Sequence, residues 1–113
     1  MRTCACVDAE FVDEILILQA DILRTLAHPR RLEILHRLAD RPIEVGRLAE
    51  ALGLSQPNVS QHLAILKAAG VIGTRREGKQ IFCSLAIPQV KQACSLIRDV
   101  LKARIAGGHD LSL

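Results

Sequence analysis

The sequence predicts a mainly α domain carrying one small β-hairpin, arranged as a winged helix-turn-helix. Three observations predict it. Apolar residues recur at helical spacing through five segments, a tight Gly53-Leu54-Ser55 break separates the third from the fourth, and two β-prone runs flank Gly78 before the fifth.

The first helix spans 9–26, with Phe11, Ile15, Leu18 and Ile22 on one stripe and Val12, Leu16, Leu23 and Leu26 on another. A short domain cannot bury both stripes in one core, so one of them is expected to meet another subunit. His28-Pro29 punctuates the chain. Proline suits a first helical turn, so a second helix is expected from Pro29 to Ala39 with Leu32, Leu35 and Leu38 inward. Asp40-Arg41-Pro42 forms a turn. The third helix is expected over 43–52, with Val45, Leu48, Ala49 and Leu52 at i, i+3, i+4 and i+7.

Ser55 opens the fourth helix, because its hydroxyl can accept an orphan N–H of the first turn. Val59, Leu63 and Leu66 form its buried stripe, and Gly70 is its left-handed end. Residues 71–77 and 80–85 make the hairpin. A last helix from Pro88 to about Arg104 is apolar at Val90, Ala93, Cys94, Ile97, Val100 and Leu101. Two helices joined by a short glycine-containing turn, then a hairpin, complete the expected order.

All 113 residues fit one domain, with an N-terminal cysteine-containing segment at 1–8 and a loose tail at 106–113. Half the chain is apolar and about a quarter charged, which excludes a disordered chain. Two Phe and no Tyr or Trp leave few rings for stacking unpaired bases, against a single-strand platform. No apolar run is long enough for a membrane span, and the start lacks a signal-peptide core, so a cytoplasmic protein is expected. Charge is uneven. Residues 1–21 set one arginine against five carboxylates, net −4, whereas residues 22–113 set fourteen cations against seven carboxylates, net +7. A polyanion is the expected partner of the body.

On the fourth helix Asn58, Ser60 and Gln61 project away from the apolar stripe. The amides of Gln61 and Asn58 can pair with the N6 and N7 edge of adenine or bond to phosphate, and Gln56 is placed for phosphate. His62, at the edge of the stripe, is expected to pack and hydrogen-bond rather than touch a base. Arg75, Arg76 and Lys79 crowd the hairpin with only Glu77 as a local counter-charge, which suits phosphate or the minor groove.

Leu54-Ser55-Gln56-Pro57-Asn58-Val59-Ser60-Gln61-His62-Leu63 closely resembles the recognition segment of ArsR/SmtB-type repressors. Leu26-Ala27-His28-Pro29-Arg30-Arg31-Leu32 and Ala69-Gly70-Val71-Ile72, leading to Arg75-Arg76-Glu77-Gly78-Lys79, resemble the same family in register over residues 20–100. The resemblance implies a homodimeric repressor of double-stranded operator DNA, joined through its first and last helices.

The four cysteines bear on sensing. Cys4 and Cys6 form a Cys-x-Cys pair, which soft metals can bridge given a third ligand. Cys94, on the apolar stripe of the last helix, is the candidate third thiolate, supplied within one chain or by the partner. Cys83 alternates with Ile81 and Leu85 and is expected to face the core. The family's Cys-x-Cys of the third helix is replaced here by Glu44-Val45-Gly46, and residues 86–104 contain no His for the zinc site of the last helix. The N-terminal pair resembles the extra thiolates of cadmium/lead and arsenite sensors. The expected inducer is therefore arsenite, Cd, Pb or Zn on Cys4, Cys6 and Cys94, with no required cofactor. A repressor responding to thiol oxidation or sulfide is the alternative, and a DNA-free interaction module a further one. No catalytic constellation or phosphate loop points to an enzyme.

Overall fold

The computed structural model describes residues 9–108. It contains α1 (Ala9–Leu26), α2 (Pro29–Leu38), β1 (Ile43–Glu44), α3 (Val45–Leu52), α4 (Gln56–Ala68), β2 (Ile72–Glu77), β3 (Gln80–Leu85) and α5 (Gln89–Ala106). The five helices and the hairpin follow the expected order.

The third strand is a correction. Residues 43–44 were expected to open the third helix, but Ile43 pairs with Cys83 and Glu44 with Phe82 in an antiparallel ladder. The sheet order is β1-β3-β2. Glu44 is extended and caps α3 by accepting the Arg47 N–H at 3.1 Å, so the first helical turn begins at Val45. The helical spacing from Val45 to Leu52 therefore starts after the strand.

The core lies between α2, α3, α4 and the sheet. Ile34, Leu48, Val59, Leu66 and Cys83 are fully enclosed, and Val71 and Ile72 join them. Among the described residues no polar or charged side chain is buried. On α2 the buried residues are Ile34, Leu35 and Leu38, and Leu32 is exposed. This corrects the expected inward stripe. Leu32 turns instead toward Leu23 and Leu26 of α1 and Ile97 of α5, where the three helices leave an apolar pocket of about 350 Å³.

α1 and α5 behave differently from the rest. α5 buries none of its residues, although Val90 and Cys94 are partly covered. Leu96, Ile97, Val100 and Leu101 on α5, and Leu16, Ile17 and Leu18 on α1, all face solvent. α5 is tethered by Lys91, whose Nζ donates to Asp40 Oδ1 at 3.0 Å. That ammonium holds the Asp40 carboxyl below its usual range through the hydrogen bond and its charge. Ala106, expected in the loose tail, is the last helical residue, and Gly107 and Gly108 form a turn.

Candidate nucleic-acid interface

Two helix ends set the position of α4. Gly53 closes α3 at φ 68°, a left-handed conformation that only glycine adopts without strain. Ser55 then begins α4, its Oγ accepting the Asn58 N–H at 3.3 Å. The Ser55 hydroxyl is thus already engaged in holding the first turn. Val59, Leu63 and Leu66 are buried as expected, and Gln56, Asn58, Ser60 and Gln61 are all exposed.

These four polar residues occupy two flanks of the helix. At about 100° per residue, Gln61 stands on the side opposite the Val59–Leu63 stripe, with Asn58 one turn away beside it. Gln56 and Ser60 turn toward the hairpin instead. With Lys67, Thr74, Lys79 and Ile81 they line a groove of about 290 Å³ between α4 and the sheet. Lys67 Nζ donates to Thr74 Oγ1 at 2.9 Å, tying the end of the helix to the wing. Lys67 was absent from the candidates the sequence supplied. Its i+7 spacing from Ser60 is the signal that finds it.

The wing divides its cations between two faces. Thr74 pairs with Cys83 and Arg76 with Ile81, so Arg76 lies on the α4 side of the sheet. Arg75 and Glu77 pair with Phe82 and Gln80 on the opposite side. Arg75 Nη2 meets Glu77 Oε2 at 2.8 Å, and its guanidinium lies 5.8 Å from the Phe82 ring centroid. Arg75 therefore consumes the local counter-charge, while among the described residues Arg76 donates only to the Gly78 carbonyl, at 3.2 Å. Lys79 sits in the turn after Gly78, whose φ of 63° lets the hairpin close.

His62 packs, as expected. Its ring centroid lies 4.7 Å from that of His28, and its Nδ1 accepts the Arg31 Nε–H at 3.3 Å. Arg31 also donates to the Thr25 carbonyl at 2.9 Å. His28 in turn caps α2 by accepting the Arg30 N–H at 3.1 Å. This chain of contacts joins the reading helix to the α1–α2 corner. Burial, then the charges of His28, Arg31 and Arg30, lower the His62 pKa.

The cysteines are separated. Cys83 is fully enclosed under the sheet, where burial raises its pKa and disfavours the reactive thiolate. Cys94 is half-buried and lines the apolar pocket between α1, α2 and α5. Among the described residues no group of three metal-ligating side chains forms. Cys4 and Cys6 lie outside the described residues.

The arrangement of a capped helix with an exposed amide face beside a basic hairpin agrees with comparisons to known proteins. A family profile described as the arsR family of bacterial regulatory proteins matches residues 28–74. HTH-type transcriptional regulator Rv0081 of Mycobacterium tuberculosis is 40% identical over 85 residues, covering 74% of this chain and 75% of its own. The chain belongs to the ArsR family. It is a transcriptional regulator with a DNA-binding winged helix-turn-helix.

The crystal structure of Rv0081 superimposes with a TM-score of 0.77 at 36% identity, over 82% of this chain and 94% of that one. A solution structure of the homodimeric winged helix-turn-helix domain of Mb0332 from Mycobacterium bovis gives 0.75 at 27% identity, over 97% and 100%. The transcriptional repressor BigR from Xylella fastidiosa gives 0.72 at 32% identity, over 83% and 96%. Family members of this kind are regulators rather than enzymes. Among the described residues no helix is long and apolar enough to cross a membrane.

Proposed function

We propose that this ArsR-family chain is a homodimeric repressor of specific duplex operators, released when cysteine thiolates take a soft metal ion or metalloid. The observation that carries the DNA reading is the placement of Gln61 and Asn58. They stand opposite a fully buried stripe on a capped helix, with cations of the wing on the flank.

In this reading Gln61 and Asn58 pair with base edges in the major groove. Gln56, Ser60, Arg76 and Lys79 hold the phosphates, and Ser55 fixes the first turn at the backbone. Arg75, already paired with Glu77 and stacked on Phe82, contributes least. The exposed apolar faces of α1 and α5 are covered by a second copy; the similar Mb0332 domain is homodimeric. Two reading helices then address half-sites about one helical turn, roughly 34 Å, apart.

The sensor is assigned to Cys4, Cys6 and Cys94, because three soft thiolates suit arsenite, Cd or Pb, and also Zn. The fold constrains how they meet. Cys94 shares its pocket with Leu23, Leu26 and Ala27 at the C-terminal end of α1. At 1.5 Å per residue, Ala9 lies about 20 Å along the helix from Leu23. The three residues from Cys6 to Ala9 span at most about 10 Å. In this reading the chelate joins the N-terminal segment of one subunit to Cys94 of the other. Ligation then acts on the dimer geometry that spaces the reading helices. About 1.4 kcal/mol of preference for the DNA-incompetent state shifts operator affinity tenfold.

The test is fluorescence anisotropy on a labelled duplex of the promoter the protein regulates, titrated with arsenite, Cd, Pb, Zn and a thiol oxidant, with and without reductant. Cys4→Ser with Cys6→Ser should keep DNA binding and lose release, Cys94→Ser likewise, and Cys83→Ser should change neither. A mixed dimer pairing the double variant with Cys94→Ser retains one complete inter-subunit site and should still take metal. Normal release from the double variant contradicts the sensor, and release by the oxidant alone replaces metal binding with thiol oxidation.

A further inference from the structure

A second basic surface lies on the other side of the wing. Arg37, Arg41, Glu44, Arg47, Gln80 and Phe82 line an open groove of about 570 Å³, bounded by the α2–β1 turn, the start of α3 and the outer face of β3. Its guanidinium groups are not equivalent. Arg37 is held by Glu33, with Nη2 to Oε2 at 3.2 Å. Arg41 and Arg47, both exposed, make no ion pair among the described residues.

Among the lining residues Glu44 is the carboxylate; it accepts the backbone N–H of Arg47 and so caps α3, and the Arg47 side chain is exposed. Phe82 forms the floor, with the Arg75 guanidinium on its far side. Cations thus flank Phe82 on both sides of this sheet face. Exposed guanidinium groups around an open groove suit a polyanion, whose phosphates they can meet by charge and hydrogen bonding.

The groove is continuous with the interface described above. Glu44 borders both it and the α4–wing groove, and Gln80 follows Lys79 directly in the wing. The two grooves thus adjoin at Glu44 and at the Lys79–Gln80 step of the wing. We propose that Arg41 and Arg47 form a second phosphate-binding surface, which grips operator flanks beyond the bases α4 contacts. This rests on the DNA reading and extends it.

The consequence is a larger electrostatic footprint than α4 and the hairpin alone provide. Each phosphate neutralised adds about 0.9 to the slope of log affinity against log salt, so two contacts add about 1.8 per subunit. Because the flank contacts are to backbone, they are insensitive to base sequence.

The experiment measures salt slopes by anisotropy on a fluorescein-labelled 40-base-pair random-sequence duplex, where only backbone contacts operate. The full chain is compared with Arg41→Gln/Arg47→Gln, Arg41→Lys/Arg47→Lys and Arg76→Gln. The glutamine pair should lower the slope by about 1.8 per subunit, and the lysine pair should keep it because charge is retained. Circular dichroism melts should be unchanged, since both side chains are exposed and unpaired.

A slope that stays at the wild-type value in the glutamine pair, while Arg76→Gln lowers it, overturns this surface alone and leaves the groove to an acidic protein. A full chain that fails to bind the duplex at low salt overturns the DNA reading and this surface together.

Discussion

The α2–α4 and sheet half of the molecule and the α1–α5 half both carry apolar stripes at helical spacing, yet only one is finished. In the first, Ile34, Leu48, Val59 and Leu66 have no exposed surface. In the second, Leu96 and Ile97 remain 63% exposed, and α5 buries nothing. The difference lies in what each stripe finds to pack against within one chain. The reading half closes its core internally and presents a polar face outward. The other half leaves its apolar faces open, and in the proposed dimer a second copy covers them and sets the spacing of the reading heads.

The sharpest break between the halves is expected in stability. Leu66→Ala removes a fully enclosed side chain and should cost about 2–5 kcal/mol in urea unfolding. Its midpoint should fall by the same amount at every protein concentration. Wild-type stability should rise with concentration, because a partner that binds only the folded state stabilises it by mass action. Ile97→Asp should abolish that dependence while leaving the reading half folded, as followed by circular dichroism. Equal concentration dependence in wild type and Ile97→Asp would erase the distinction between halves.

A smaller effect divides the reading half itself. Gln61→Ala should lose about 1–3 kcal/mol on the specific duplex and relax base preference. Arg76→Ala should weaken specific and random duplexes alike and flatten the salt slope. Binding isotherms on both duplexes separate the two behaviours, and parallel losses in both variants would refute the division.

The smallest effect concerns the contact between halves at His62. Its folded pKa lies below the ordinary 6.5, so the unfolded chain binds the proton more readily. Stability from the neutral imidazole is present above 6.5 and declines as pH falls below it. His62→Gln should flatten that decline in melts taken between pH 7 and about 5, and an unchanged pH profile would assign the decline elsewhere.

Much of this architecture was legible in the residues. Ser55, Gly53 and Gly70 marked the helix-turn-helix because each has a specific backbone task. The doubly apolar first helix revealed itself because two stripes cannot share one small core. Strand β1 was hidden, because two residues such as Ile43 and Glu44 carry no periodicity. Their pairing with Phe82 and Cys83, some forty residues on, is a long-range match. Leu32 was misplaced because α2 carries two apolar stripes, and only the three-dimensional neighbours show which faces α1. The split between Arg75 and Arg76 was available from strand alternation. Arg41 and Arg47 were not, since an exposed arginine acquires meaning only from the groove around it. The apolar pocket beside Leu23 that Cys94 lines was likewise not legible, since it is formed by residues of three helices.

Sedimentation equilibrium of the full chain from nanomolar to micromolar concentration measures directly whether a second copy covers α1 and α5. A dimer is expected at micromolar concentration, with Ile97→Asp dissociated to a monomer over the same range. A folded wild-type monomer at micromolar concentration would contradict it.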